Sequence, residues 1–286
     1  MGTSQRKQKK TGERDICSEM TGNEIFETIR AVAREGADSQ CFKELRSDKA
    51  LAAEVAKFLI KKVKKEYELS WLYVTFTRDR FFGPEDWKKY FGIELPKHIY
   101  LPVKIEELTA ILESPCPFVQ GKKVKETHYL FYLPVDFNGE PLTIGKWQEM
   151  FPHGSQPKFY RYMNVNAWYK DYGFAKMDTA RFSWFLMFEG VIPGTESKTW
   201  DEQLALKSEN YDVPKLIEVT PMHFLVHKKN DGQRINENIW GRTCDVDSDG
   251  DHVRAGNFDG DGFGVCNRDD SYRNSDLGLF LFRKLS

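Results

Sequence analysis

Residues Thr243 to Arg283 read TCDVDSDGDHVRAGNFDGDGFGVCNRDDSYRNSDLGLFLFR and contain no Lys, Glu, Gln, Met, Trp, Ile or Pro. The chain before them is rich in Lys and Glu, so this tail follows a different compositional rule, although Leu277 to Phe282 has the apolar character of a buried strand. Its polar positions hold Asp, Asn, Ser, Gly, Tyr, His, Arg and Cys. Those residues are within reach when the adenines of an AAC or AAT asparagine codon are substituted. Lys, Glu, Gln, Met and Trp are not.

The chain around this tail is that of a folded protein. With 286 residues, 40% of them hydrophobic and 14% aromatic, it can bury a large core in one domain with an appendage. A net charge of -1 offers no whole-chain attraction to phosphate backbones, so nucleic acid is not expected as a partner. The one basic run, Arg6 to Lys10, reads as a solvated terminus. The first twenty residues lack the apolar core of a signal peptide, and no apolar run reaches the roughly 18 residues of a membrane span. A soluble, cytoplasmic or virion-associated protein is therefore expected. Cys17, Cys41, Cys116, Cys244 and Cys266 are odd in number and irregularly spaced, which argues against a disulfide framework or structural zinc.

Patterning predicts a flexible stretch to about Asp15, then helices. Thr21 to Glu24 has capping-box spacing, and Leu51, Val55, Phe58, Leu59 and Val63 share one helical face. This helical N-terminal element, residues 1–66, precedes a larger domain, residues 67–286. Within it, Trp71 to Thr77 reads as a strand, Pro84 opens a short helix closed by Gly92, and Lys104 to Glu113 is a helix stopped by Pro115. His128 to Pro134 reads as a strand, Asn138-Gly139 as a turn, and Thr143 as the cap of a helix through Met150. The run Phe182 to Phe188 fits a buried strand or a helix equally. Lys215 to about Lys229 reads as amphipathic, with a kink or break expected at Pro221. Three strands are expected in the tail, at His252–Arg254, Phe263–Cys266 and Leu277–Phe282.

Several constellations invite a chemical reading. Asp245, Asp247, Asp249 and Gly250 fit the opening of an EF-hand calcium loop, where alternate carboxylates converge on a hard cation. The twelfth position is Gly256 instead of Glu, and a second partial copy starting at Asn257 ends on Arg268. A calcium-binding α+β domain using these loops is thus the alternative reading. His223 and His227 stand four apart, as two ligands of one metal could, but no third ligand accompanies them. Cys244, Cys266 and His252 form no sequence-local relay.

The stretch Arg254-Ala255-Gly256-Asn257-Phe258, the polar run through Asp276 and the closing Leu277 to Lys284 together resemble the C-terminal variable region of target proteins of diversity-generating retroelements. Pro141-Leu142-Thr143, Ser183 to Met187, Val191 to Gly194, and Tyr211 to Pro214 with Glu218 resemble versions found in archaeal and candidate-phylum bacterial elements. The resemblance covers about residues 125 to 286 well and residues 67 to 124 weakly. It implies a C-type lectin-like fold of the formylglycine-generating-enzyme type, in which a reverse transcriptase rewrites the tail with errors at adenine. The implied function is non-catalytic binding of a protein or cell-surface molecule, without a cofactor. The enzyme branch of that fold uses two neighbouring Cys, and only Cys266 follows the corresponding turn here. On this reading Gly256, Phe258, Gly262, Val265, Leu277, Gly278, Leu279 and Leu281 are scaffold. Asp245, Asp247, Asp249, Asp259, Asp261, Asn267, Arg268, Asp269, Asp270, Tyr272 and Asn274 form the presented, ligand-binding surface.

Overall fold

A computed structural model describes residues 37–48, 50–51, 54–55, 72, 75–76, 79–95, 101–137, 139–152, 154–161 and 167–285. The chain divides into two compact units, Met1–Lys64 and Lys65–Ser286. In the first, helix α1 (Ser39–Ser47) is capped by Asp38, whose carboxylate accepts from the Cys41 N–H at 2.9 Å. The capping box at Thr21 and most of the helix expected to follow Leu51 lie outside the described residues, as does the basic run at Arg6.

The second unit mixes helix and sheet as an α+β structure. In chain order it contains β1 (Phe81–Phe82), α2 (Pro84–Phe91), α3 (Ile105–Glu113), α4 (Val124–Thr127) and β2 (His128–Tyr132). The hairpin β3 (Asp136–Phe137) and β4 (Glu140–Pro141) follows, then α5 (Ile144–Met150), α6 (Gly173–Lys176), β5 (Trp184–Phe188), α7 (Trp200–Leu204) and β6 (Tyr211–Asp212). Helix α8 (Leu216–Lys229) leads into β7 (Trp240–Val246), β8 (His252–Asp259), β9 (Gly262–Asn267), β10 (Leu277–Leu279) and β11 (Phe282–Arg283).

Local chemistry sets several of these boundaries. Pro84 begins α2, the Asp86 carboxylate accepts from the Gly83 N–H at 2.9 Å, and Gly92 ends the helix at φ 68°. Thr143 caps α5 through its hydroxyl, which accepts from Lys146 N–H at 3.3 Å. The run Phe182 to Phe188, ambiguous by periodicity, resolves over Trp184–Phe188 as the fully buried strand β5, with Phe182 exposed ahead of it. One expectation is overturned: where a strand was read at Trp71 to Thr77, Leu72 and Thr75 are helical, and the Phe76 N–H reaches the Leu72 carbonyl at 3.0 Å. Leu72 and Phe76, four apart, are both buried in one apolar cluster, so helical packing overrides the strand preference of the local residues.

Two sheets organise the unit. The larger has the order β1-β2-β5-β11-β6, with β1 parallel to β2 and the remaining pairs antiparallel. The smaller has the order β10-β7-β8-β9, with β10 parallel to β7. The apolar run expected as one strand over Leu277–Phe282 is split: β10 joins the smaller sheet and β11 the larger. Between them the Leu281 carbonyl accepts from Phe188 N–H at 3.1 Å, and the Arg242 carbonyl accepts from Phe280 N–H at 3.3 Å. The tail thereby ties both sheets together.

Helix α8 packs against β7, β8, α2 and α6, and every residue from Leu216 to His227 is buried. It is therefore enclosed where an amphipathic segment was expected, and Pro221 does not end it, because packing around the helix holds it through the missing N–H. Phe224 stacks on Phe258 with rings 7° from parallel, and Trp147 and Phe151 close the other side of Phe224. Among the described residues no helix is long and apolar enough to cross a membrane.

Candidate ligand-binding face

Strand β7 was not expected from the sequence, because its Asp245 and Val246 were read as the start of a loop; β8 and β10 pair directly with it. Pairing brings Trp240 opposite Gly256 and Arg242 opposite Arg254. Across the next ladder Gly256 faces Gly264 and Arg254 faces Cys266. Since alternate strand residues share a face, these positions line one face of the smaller sheet. The other face carries Val253, Ala255, Phe263 and Val265, all buried in the core with α8.

Two glycines allow the outer face to form. A Cβ on Gly264 would lie 2.4 Å from the Trp240 ring, so the indole lies across that position. Gly256, at φ 120°, presses against the Ile239 carbonyl, which a Cβ would approach to 2.5 Å. Over the indole sits Arg254, its guanidinium carbon 4.7 Å from the Trp240 ring centre and 5.9 Å from that of Tyr272.

The loop over this face is anchored from below. Arg242 is 1% exposed and donates to the Tyr272 carbonyl at 2.8 Å, the Gln203 side-chain oxygen at 2.9 Å and the Lys198 carbonyl at 3.2 Å. Burial lowers its pKa, which nearby Asp270 and Asp269 pull back up. Alongside, His252 stacks on Trp200 with centroids 3.6 Å apart and pairs its Nδ1 with Asp270 at 2.8 Å, while the Asp270 carboxylate also accepts from the His252 N–H at 3.1 Å. Trp200 N–H donates to the Asp270 carbonyl at 3.0 Å.

Most residues expected on the presented surface meet here. Asp247 organises the β7–β8 turn: one carboxylate oxygen accepts from Asp249 N–H at 2.9 Å and Asp251 N–H at 3.0 Å, the other from the Asn267 amide at 2.5 Å. Burial raises its pKa, but these hydrogen bonds outweigh burial and hold it below the usual value. The Asp247 residue is itself buried, so it shapes the turn and is not presented. Asp269 accepts from Ser271 N–H at 2.7 Å, which contributes to its lowered pKa, and the Asn274 amide donates to the Tyr272 hydroxyl at 3.1 Å. Asp249, Arg268, Asp269 and Tyr272 are exposed, with Asn267, Asp270 and Asn274 half-buried beside them.

Three expected residues are elsewhere. Asp245 is a correction: it is 7% exposed, and its carboxylate accepts from the Leu216 N–H at 2.5 Å at the start of α8, on the core side. Burial pushes its pKa up to about 6, with the Leu216 bond and Lys215 opposing and Asp178 and Glu218 adding to the rise. Asp259 and Asp261 occupy the β8–β9 turn, where the Asp259 carboxylate accepts from Asp261 N–H at 2.8 Å. Strand β8 separates them from His252 by roughly 23 Å at the usual rise per residue. This turn lies near Tyr160, whose N–H donates to the Phe263 carbonyl at 2.9 Å.

Of the residues in the calcium-loop pattern, Asp245 accepts from the Leu216 N–H, while Asp247 accepts from the β7–β8 turn and from Asn267. Among the described residues no group of three or more His, Cys, Asp or Glu side chains is placed to hold a metal ion. His223 is buried with its pKa lowered to about 4 by desolvation, and its Nε2 lies 2.9 Å from the Asn236 amide, leaving it engaged within the core. Cys244 is likewise inward, and burial pushes its thiol up to about 12.

Sequence reasoning missed Trp200, Trp240, Arg242, His252 and Arg254 as parts of the face. The two tryptophans precede the unusual tail, and their proximity depends on tertiary pairing. The small residues Gly256 and Gly264, opposite each other and Trp240, were the one available signal. Comparison with protein families, with curated proteins and with solved structures finds no match to this chain.

Proposed function

We propose that this is a non-catalytic ligand-binding protein that displays a hypervariable face, diversified by adenine-directed retroelement mutagenesis on a C-type lectin-like scaffold. Its ligand is a protein or a cell-surface molecule. The observation that carries this reading is the separation of two residue classes in the tail. Gly256, Phe258, Gly262, Val265, Leu277, Gly278, Leu279 and Leu281, the residues expected to be fixed, are all buried. Asp249, Arg268, Asp269 and Tyr272, all within adenine-substitution reach of Asn, are exposed, the last three in a loop whose backbone Arg242 anchors, while Asp245 and Asp247 of the same class are buried.

Such a division lets surface chemistry change while the backbone stays in place. A library randomised at Asp249, Asn267, Arg268, Asp269, Tyr272 and Asn274 tests it. Most members should melt within a few degrees of the parent, and selection should yield binders to unrelated proteins. If most members fail to fold, the face is structural and the reading is wrong.

A further inference from the structure

Resting on that reading, we propose that the face holds a buried anchor beneath its changeable rim: Arg254, assisted in this chain by Arg268 of the rim, seats a carboxylate of an acidic side chain on a partner protein. Arg254 is 6% exposed, and its Nε–H is buried without a hydrogen-bond partner. Its Nη2 has a single weak acceptor, the Cys266 sulfur at 3.8 Å. Nε and Nη2 form the side-on edge of a guanidinium, the edge that accepts a carboxylate through two parallel N–H···O bonds. Here that edge meets only a sulfur.

A buried polar group left in this condition calls for a partner. Arg268 approaches the same sulfur, with Nη1 at 3.9 Å from it while donating to the Asn267 carbonyl at 3.2 Å, so two guanidinium groups converge on one half-buried point. Neither is in an ion pair among the described residues, although the tail around them is rich in Asp. Those nearby carboxylates are otherwise engaged: Asp247 with three donors, Asp270 with His252, Asp269 with Ser271. Trp240 beneath and Tyr272 above complete a Trp, Tyr and Arg group of the kind that dominates protein interfaces. Tyr272 is 37% exposed and belongs to the loop over the site, with its ring centre 5.9 Å from the Arg254 guanidinium carbon.

The test is NMR of the Arg254 Nε–H in the whole protein, titrated in turn with acetate, N-acetylglutamate and sulfate. Saturable shifts with both carboxylates, weakened about tenfold in Arg268→Gln, are expected, as two charge-assisted contacts require. Arg254→Lys keeps the charge without the two-donor edge; its remaining spectrum reports the fold, and backbone signals around Cys266 should no longer respond to carboxylate. No saturable shift in the parent, an undiminished response at Cys266 in Arg254→Lys, or a response to sulfate alone would overturn the proposal. Any of these results would leave the diversified-face reading standing, because that reading is decided by the randomised library and by codons, not by anion affinity.

Discussion

The indole of Trp240 lies where a side chain at position 264 would otherwise be: a Cβ on Gly264 would come within 2.4 Å of Cη2 and 2.9 Å of Cζ3. Gly264→Ala should therefore lower stability by about 1–3 kcal/mol through overpacking. Urea unfolding of the single and double variants with Trp240→Ala checks it. The glycine substitution should cost much less once the ring is absent, and an equal cost in both backgrounds would show that the ring is not the cause.

Asp245 supplies a pH dependence of definite sign. Its folded-state pKa is raised to about 6 from the ordinary 3.8, so the folded state binds its proton more tightly than the unfolded chain. The resulting stabilisation is fully present below about pH 4 and is lost as pH rises through 6. At pH 8 the parent should have lost on the order of 2–3 kcal/mol from this group. Asp245→Asn keeps an oxygen for the Leu216 N–H and should remove that part of the slope, as denaturation at a series of pH values would show. An unchanged slope would contradict the assignment.

Arg242 and Arg268 should behave oppositely on truncation. Replacing exposed Arg268 by Ser should change stability by no more than about 0.5 kcal/mol. Arg242→Ala removes the donors beneath the loop at Tyr272, Gln203 and Lys198 and should cost about 3 kcal/mol or more. Hydrogen exchange should show the loss of protection concentrated in residues 268–276.

The Asp247 turn gives a prediction against the calcium alternative. Asp247→Asn leaves one carbonyl oxygen where the carboxylate now accepts three hydrogen bonds, and should cost about 1–2 kcal/mol. That loss should be the same in calcium and in chelator. A parent melting temperature that rises with calcium, and a variant that does not respond, would restore the cation-binding reading.

Much of the framework was legible because local chemistry and burial agree there. Pro84 and Gly92 bound α2, Thr143 caps α5, and Lys104 to Glu113 supplies α3. The failures have a shared cause in tertiary packing. Leu72 and Phe76 pack as successive helical turns despite their β-favouring neighbours, and α8 is enclosed on every side, which hides polarity as a guide to its face. In the tail, composition pointed to the exposed rim at Asp249, Arg268 and Tyr272. It could not distinguish Asp245, which is turned to the Leu216 N–H, from its neighbours, since an Asp on the core face and one on the surface look alike in a sequence. Nor could it place Trp240 over Gly264 or Arg254 over Trp240, because those contacts exist only once three strands are paired in register.

The most direct measurement is to sequence the gene and its flanking DNA from several isolates and compare the codons for residues 243–283 with any nearby repeat. The account predicts a near-identical repeat whose differences fall only at template adenines, concentrated in codons such as those of Asp249, Arg268, Asp269 and Tyr272 and absent from those of Phe258, Leu277 and Leu279. No such repeat, with codon variation in this stretch matching the rest of the gene, would contradict it.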